Sequence, residues 1–63
     1  MIGKKLRKRL EELHMPQRKL AKLIGATDAE MSRYVWDTYS PSIERLYRIS
    51  KVLGVPMEYF MED

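Results

Sequence analysis

The sequence contains no cysteine and no long apolar run. The absence of cysteine excludes disulfides and thiolate metal sites, so the 63 residues must be stabilised by an apolar core alone. It also suits a reducing cytoplasm. Because no segment has the length of a membrane span or the pattern of a signal peptide, we expect a soluble, cytoplasmic protein without a membrane partner.

Groups that carry out catalysis are equally scarce. The chain has a single histidine, His14, which without a second histidine or a cysteine is better interpreted as a helix-end residue than as a metal ligand. There is no glycine-rich phosphate loop and no pair of inward carboxylates, so no nucleophile or acid–base pair can be assigned. The sequence therefore predicts that the protein is not an enzyme and uses no metal, no cofactor and no small-molecule substrate.

Positive charge is concentrated in the first half of the chain. Residues 1–33 contain nine Lys and Arg against four Asp and Glu, whereas residues 34–63 contain three against five. This asymmetry favours a polyanionic partner, although a solvated helix face is the simpler explanation of a short basic run.

Apolar residues recur at intervals of three and four, and no useful length of the chain alternates with period two. The sequence thus predicts an all-α fold, a compact bundle of five short helices in one domain over residues 1–63. The fourth helix is capped by Ser40 or by Ser42, and Pro16 separates the first two helices.

The predicted helices cover 2–13, 17–24, 28–36, a fourth segment that ends at Gly54, and one or two turns over 57–61. The predicted core stripes are Ile2, Leu6, Leu10 and Leu13 in the first helix, and Ile43, Leu46, Ile49, Val52 and Leu53 in the fourth.

The segment from Gln17 to Arg33 has the pattern of two short helices joined by a tight turn. Gly25 suits the left-handed conformation that ends a helix, and Thr27 with Glu30 forms a capping box that starts the next one. Ala21 is small enough to let the two helix backbones approach closely. These features predict a helix-turn-helix, with an ordinary helical hairpin as the alternative.

On the second of these helices, a rotation of roughly 100° per residue divides core from surface. Met31 and Val35 face the core. The other face carries Ala29, Ser32, Arg33 and Trp36. In a major groove, Arg33 would bridge guanine O6 and N7, Asp28 would accept from a cytosine amino group, and Ala29 would touch a thymine methyl. For Arg33 the alternatives are a phosphate contact or a solvated surface position, and for Asp28 simple stabilisation of the helix dipole.

These residues together resemble the Cro and repressor type of helix-turn-helix domain, the lambda-repressor-like or xenobiotic-response-element family. None of the matching residues is specific to this family by itself. Their combined spacing is specific, and it extends over nearly the whole chain. The matching positions are Gln17, Leu20-Ala21, Gly25, Thr27, Met31-Ser32, Pro41-Ser42, Leu46, Ile49, Leu53-Gly54-Val55 and Glu58-Tyr59-Phe60.

The resemblance implies a sequence-specific, phage- or bacterial-type transcriptional regulator that binds a double-stranded DNA operator through the helix over 28–36. It further implies a homodimer, at least on DNA, and a two-fold-symmetric site. The base-reading positions are Asp28, Ala29, Ser32 and Arg33. Phosphate contacts are predicted at Gln17, Arg18, Trp36, Thr38 and Tyr39. Contacts to the partner subunit are predicted at Val55, Met57, Glu58 and Tyr59.

The sequence departs from the family pattern in three places. Leu10 and Val35 stand where many relatives have a buried arginine and glutamate, and Asp37 stands where the family has a glycine, so the following loop is expected to take another path. Asp28 and Glu30 place two carboxylates at the helix end that would approach DNA. These departures keep open an alternative function: a scaffold for protein contact, centred on Trp36 and Tyr39, or an engineered variant whose DNA binding is weakened or lost.

Overall fold

The computed structural model describes residues 2–61, which form four α-helices and one turn of 3-10 helix. Their bounds are α1 Ile2–Glu12, α2 Gln17–Ile24, α3 Asp28–Val35, α4 Ile43–Leu53, and the terminal turn Met57–Phe60. No strand occurs within residues 2–61, so the predicted all-α fold is confirmed. None of these helices is long and apolar enough to cross a membrane.

The last of the five predicted helices is a single 3-10 turn. The amide of Tyr59 donates to the carbonyl of Pro56 at 3.0 Å, and the amide of Met61 donates to Glu58 at 3.0 Å, so both bonds span three residues. Pro56 precedes this segment and separates it from α4. The four residues that follow are enough for a single 3-10 turn and no more. The fold is therefore a four-helix bundle with a short closing turn.

The ends of the helices follow from local residues. Gly25 and Gly54 adopt left-handed conformations at the ends of α2 and α4, with φ of 75° and 69°. The Thr27 hydroxyl accepts from the Glu30 amide at 3.1 Å, while the Glu30 carboxylate accepts from the Thr27 amide at 2.9 Å, which completes the predicted capping box. Of the two caps predicted for α4, the structure has Ser42, whose Oγ accepts from the Arg45 amide.

The four helices and the closing turn share one core. The α3 helix packs on α1 and α2, α2 packs on α4, and the closing turn packs on α1 and α4. The buried apolar side chains are Leu6, Leu10, Leu20, Ala21, Ile24, Met31, Tyr34, Val35, Leu46, Ile49, Leu53 and Phe60.

Two residues predicted for the core lie on the surface instead. Leu13 is 38 % exposed because α1 ends at Glu12, so the helical spacing that placed Leu13 in the stripe no longer applies. Ile43 is 78 % exposed because it is the first residue of α4 and precedes the part of that helix that packs on the core. The remaining stripe residues are buried, except Ile2 and Val52, which pack against the core while partly exposed.

Leu10 and Val35 occupy the positions at which the resemblance implies a buried arginine and glutamate in many relatives. Leu10 is 5 % exposed and Val35 is fully buried, so both positions belong to the core. Two apolar side chains avoid the desolvation cost that a buried ion pair carries.

We expect Leu10→Arg to destabilise the fold by about 3–5 kcal/mol, because it buries a charge without a counter-charge. Adding Val35→Glu to the same chain should recover much of that loss by restoring the family's pair. Urea unfolding of both variants measures the two values. A Leu10→Arg protein as stable as the parent would contradict the placement of Leu10 in the core.

Candidate nucleic-acid interface

The first turns of α2 and α3 meet at one surface depression. Gln17 and Arg18 from α2 line it together with Asp28 and Met31 from α3. Pro16 precedes α2 and provides no side-chain cap, and the amide of Lys19 donates to its carbonyl at 3.0 Å, so the amides left for an anion are those of Gln17 and Arg18. The structure thus places two predicted phosphate-binding residues beside a predicted base-reading residue, although they are ten or more positions apart in sequence.

The outer face of α3 is formed by the four predicted base-reading residues. Asp28, Ala29, Ser32 and Arg33 are all exposed. On the opposite side of the same helix, Met31, Tyr34 and Val35 are buried. The burial of these residues confirms the predicted division of α3 into a core face and a free face.

Glu30, one of the two acids in the first turn of α3, is held by neighbours on both sides. One carboxylate oxygen closes the capping box, and the other accepts from Arg45 Nη1 at 3.0 Å. The same Arg45 atom lies 3.4 Å from the Tyr34 hydroxyl. The negative charge of Glu30 is therefore balanced within the fold. Sequence reasoning missed Arg45, since no local pattern connects residues 15 positions apart.

These contacts also change the acidity of Glu30. The hydrogen bond from the Thr27 amide, with smaller contributions from the Thr27 hydroxyl and Arg45, outweighs desolvation and lowers the pKa of the carboxyl below its usual 4.5. The ionised form is consequently favoured in the folded chain relative to the unfolded chain.

Stability should therefore be full above about pH 4.5 and should fall as the pH drops through the lowered pKa of Glu30. The Glu30→Gln variant keeps a side-chain acceptor for the capping box but has no charge to titrate, so its melting temperature should vary less between pH 3 and pH 5. Thermal melts of both proteins across that range give the comparison. If melting temperature varied with pH in the same way for both proteins, a stabilising role for the Glu30 charge would be contradicted.

The loop after α3 is tied to the first turn of α1. Asp37 has φ of 58°, a left-handed conformation that asparagine and aspartate tolerate better than most residues, and its Oδ1 accepts from the Gly3 amide at 2.9 Å. The carboxylate thereby satisfies an amide at the positive end of α1. A glycine at this position could adopt the same φ but would have no side chain to reach α1, so the contact to Gly3 depends on Asp37.

Two further contacts join α1 to the end of α3 and the loop that follows it. Together with the Gly3–Asp37 bond, we call these contacts the α1–α3 junction. The Arg7 guanidinium donates to the Val35 carbonyl, and it lies 4.6 Å from the centre of the Trp36 ring. A Cβ atom on Gly3 would lie 2.4 Å from that same carbonyl oxygen. Sequence reasoning missed both Gly3 and Arg7, although a glycine inside a predicted helix was a signal of close backbone approach.

We expect Gly3→Ala to destabilise the protein by about 1–3 kcal/mol, because the added methyl group overlaps backbone that cannot move freely. Lys8→Ala is the matched control, since it introduces the same residue at an exposed position of the same helix. Chemical unfolding of the two variants gives the difference. Equal stabilities would show that α1 does not pack this closely on the end of α3.

Tyr39 lies next to Arg33, the last of the predicted base-reading residues. The amides of Thr38 and Tyr39 donate to the Arg33 carbonyl at 2.9 and 3.2 Å, and the Arg33 guanidinium lies 5.5 Å from the centre of the Tyr39 ring. Trp36 and Tyr39 are 63 % and 62 % exposed. The loop residues predicted to touch phosphate are therefore on the surface, and two of them, Thr38 and Tyr39, lie beside Arg33.

The residues predicted to contact a second copy are largely engaged within their own fold. Val55, Met57 and Tyr59 are half-buried against the core, and Glu58 is exposed. The Tyr59 hydroxyl is buried and, within residues 2–61, has no hydrogen-bond partner, while Lys5 lies over its ring at 5.1 Å. Val55, Met57 and Tyr59 therefore each keep a solvent-exposed part.

His14 follows the end of α1 on the surface, with φ of 53°. Within residues 2–61 no group of three or more histidine or acidic side chains is placed to hold a metal ion.

Comparisons with known proteins agree with this architecture. A family model described as helix-turn-helix matches residues 6–60. Over 62 residues, or 98 % of this chain, the sequence is 36 % identical to an uncharacterised transcriptional regulator in the ATPase CF(0) region of Rhodospirillum rubrum. It is equally similar to an uncharacterised HTH-type transcriptional regulator of Sinorhizobium medicae. The chain covers 57 % and 45 % of these two proteins, about half of their length.

The fold is also similar to a solved structure, the DNA-binding domain of the P22 C2 repressor in solution. The TM-score is 0.92 at 26 % sequence identity, and the match covers 97 % of this chain and 80 % of the other.

Proposed function

This chain belongs to the helix-turn-helix family of DNA-binding transcriptional regulators, of the Cro and lambda-repressor type, and on that premise we propose that it binds a specific double-stranded DNA sequence. The observation that carries the proposal is the free face of α3, where Asp28, Ala29, Ser32 and Arg33 are exposed together beside the uncapped start of α2. In this proposal α3 lies in the major groove with that face toward the base edges.

Base discrimination would come from the same four side chains. Arg33 has the planar fork that pairs with guanine O6 and N7, and Asp28 can accept from a cytosine amino group. Ala29 and Ser32 lie between them, where a thymine methyl or a base edge would be in reach. Because Glu30 is paired with Arg45, its charge is already balanced where α3 approaches the phosphates.

Affinity would come from phosphate contacts on either side of α3. Gln17 and Arg18 offer a helix N-terminus and a cation, and α1 adds an exposed basic surface. On the other side lie Trp36, Thr38 and Tyr39. The Arg7 and Arg33 guanidinium groups lie over the two aromatic rings, so this loop presents positive charge although it contains no Lys or Arg itself.

We further infer that two copies bind one operator with two-fold symmetry, through the remaining surface of Val55, Met57, Glu58 and Tyr59. Dimer binding to DNA doubles the phosphate contacts and fixes the spacing of the half-sites. The bacterial relatives named as transcriptional regulators support a role in gene control in the cytoplasm.

The test is selection from a randomised duplex pool at two salt concentrations, with Arg33→Ala and Arg18→Gln in parallel. The parent should select a two-fold-symmetric consensus. Arg33→Ala should lose about 1–3 kcal/mol at one base position and relax the preference there. Arg18→Gln should weaken binding to every duplex alike. The slope of log affinity against log salt concentration should become smaller in magnitude by about one.

A parent protein that binds weakly, loses binding with salt and selects no consensus would contradict the proposal. The exposure of Trp36 and Tyr39 would then favour the alternative, a helix-turn-helix scaffold that contacts another protein. Two arginines over those rings make the surface less suited to an apolar partner than to a phosphate backbone.

A further inference from the structure

We propose that Tyr39 is a positioning residue whose ring holds the Arg33 guanidinium in place on the free face of α3 and thereby sets the base preference at the position that Arg33 reads. The inference rests on the proposed function, because it assigns a role within DNA reading. It adds a second role for Tyr39, which the proposed function places among the phosphate contacts.

The first observation is the geometry of the pair. The Arg33 guanidinium lies 5.5 Å from the centre of the Tyr39 ring, within the range of a cation–π contact. Arg33 is exposed in the last turn of α3. A long side chain at such a position would otherwise sample many rotamers, and ordering it on DNA would cost entropy. A ring beside the guanidinium reduces the number of rotamers before DNA arrives.

The second observation is that the backbone holds the ring beside Arg33. Thr38 and Tyr39 both donate their amides to the carbonyl of Arg33, so the residue that carries the guanidinium also anchors the loop that carries the ring. Asp37 reverses the chain immediately before them and is itself fixed to Gly3 of α1. The position of the ring relative to Arg33 is therefore set by the fold.

The neighbouring aromatic residue serves a different arginine. Trp36 is covered by Arg7, whose guanidinium also donates to the Val35 carbonyl and so belongs to the α1–α3 junction. Tyr39 pairs with an arginine on the free face instead. Of the two exposed rings in this loop, Tyr39 is thus the one placed to affect base reading.

The roles of the ring and of the hydroxyl can be separated by substitution. Tyr39→Phe keeps the ring and removes only the hydroxyl, whereas Tyr39→Ala removes both. Binding of each variant is measured on the selected consensus duplex and on duplexes altered at single positions. Arg33→Ala identifies the position that Arg33 reads, and Ser40→Ala, at an exposed position of the same loop to which no DNA contact is assigned, controls for changes in the loop.

We expect Tyr39→Phe to keep the parent's base preference, and Tyr39→Ala to reduce the preference at the Arg33 position by about two- to fivefold, the range of an exposed cation–π contact. In an Arg33→Ala background, Tyr39→Ala should have no further effect at that position. In the free protein, the side-chain Nε–H resonance of Arg33 should shift in Tyr39→Ala and stay in place in Tyr39→Phe. Thermal melting shows that each variant is folded.

Two results would overturn the inference while leaving the proposed function intact. One is a Tyr39→Ala protein whose preference at the Arg33 position is unchanged. The other is an Arg33 Nε–H resonance that stays in place in Tyr39→Ala, which would show that the ring does not hold the guanidinium. A parent protein that selects no consensus overturns the proposed function itself, and the reading role of Arg33 with it.

Discussion

The placement of α3 depends on the burial of three of its side chains, Met31, Tyr34 and Val35, against the neighbouring helices. A helix of eight residues has little stability of its own, so tertiary packing must hold it. That packing fixes which side of α3 faces outward. The exposure of Ala29 and Ser32 on the free face follows from it.

Both ends of α3 are then held by different helices. At its start, Glu30 connects the capping box to Arg45 on α4. At its end, the α1–α3 junction connects the last carbonyl of the helix and the following loop to Gly3 and Arg7. Fixed ends limit how far the helix can tilt or slide, and contacts to base edges require that kind of rigidity.

Local features of the sequence predicted the helix-turn-helix well. The bounds of α2, the start of α3 and the division of α3 into two faces follow from residues that act on their immediate neighbours: Gly25, the Thr27–Glu30 capping box and the apolar spacing. Errors arose where a helix began or ended, as at Leu13 and Ile43, because helical spacing alone does not mark those limits. The contacts of Arg45, Arg7 and Asp37 could not be predicted, since these half-buried side chains bond to groups that are far from them in sequence, and such pairs leave no periodic signature.

The separation between the buried and the free side of α3 has a consequence for how such a domain diverges. The side chains of Ala29 and Ser32 lie outside the core, so replacing them alters the outer surface at little cost in stability. A chain with this fold can therefore change the chemistry of its outer α3 surface through one or two substitutions without compensating changes elsewhere. The buried side of the same helix has no such freedom, and one short segment thus combines a buried face that the core constrains with an outer face that tolerates substitution.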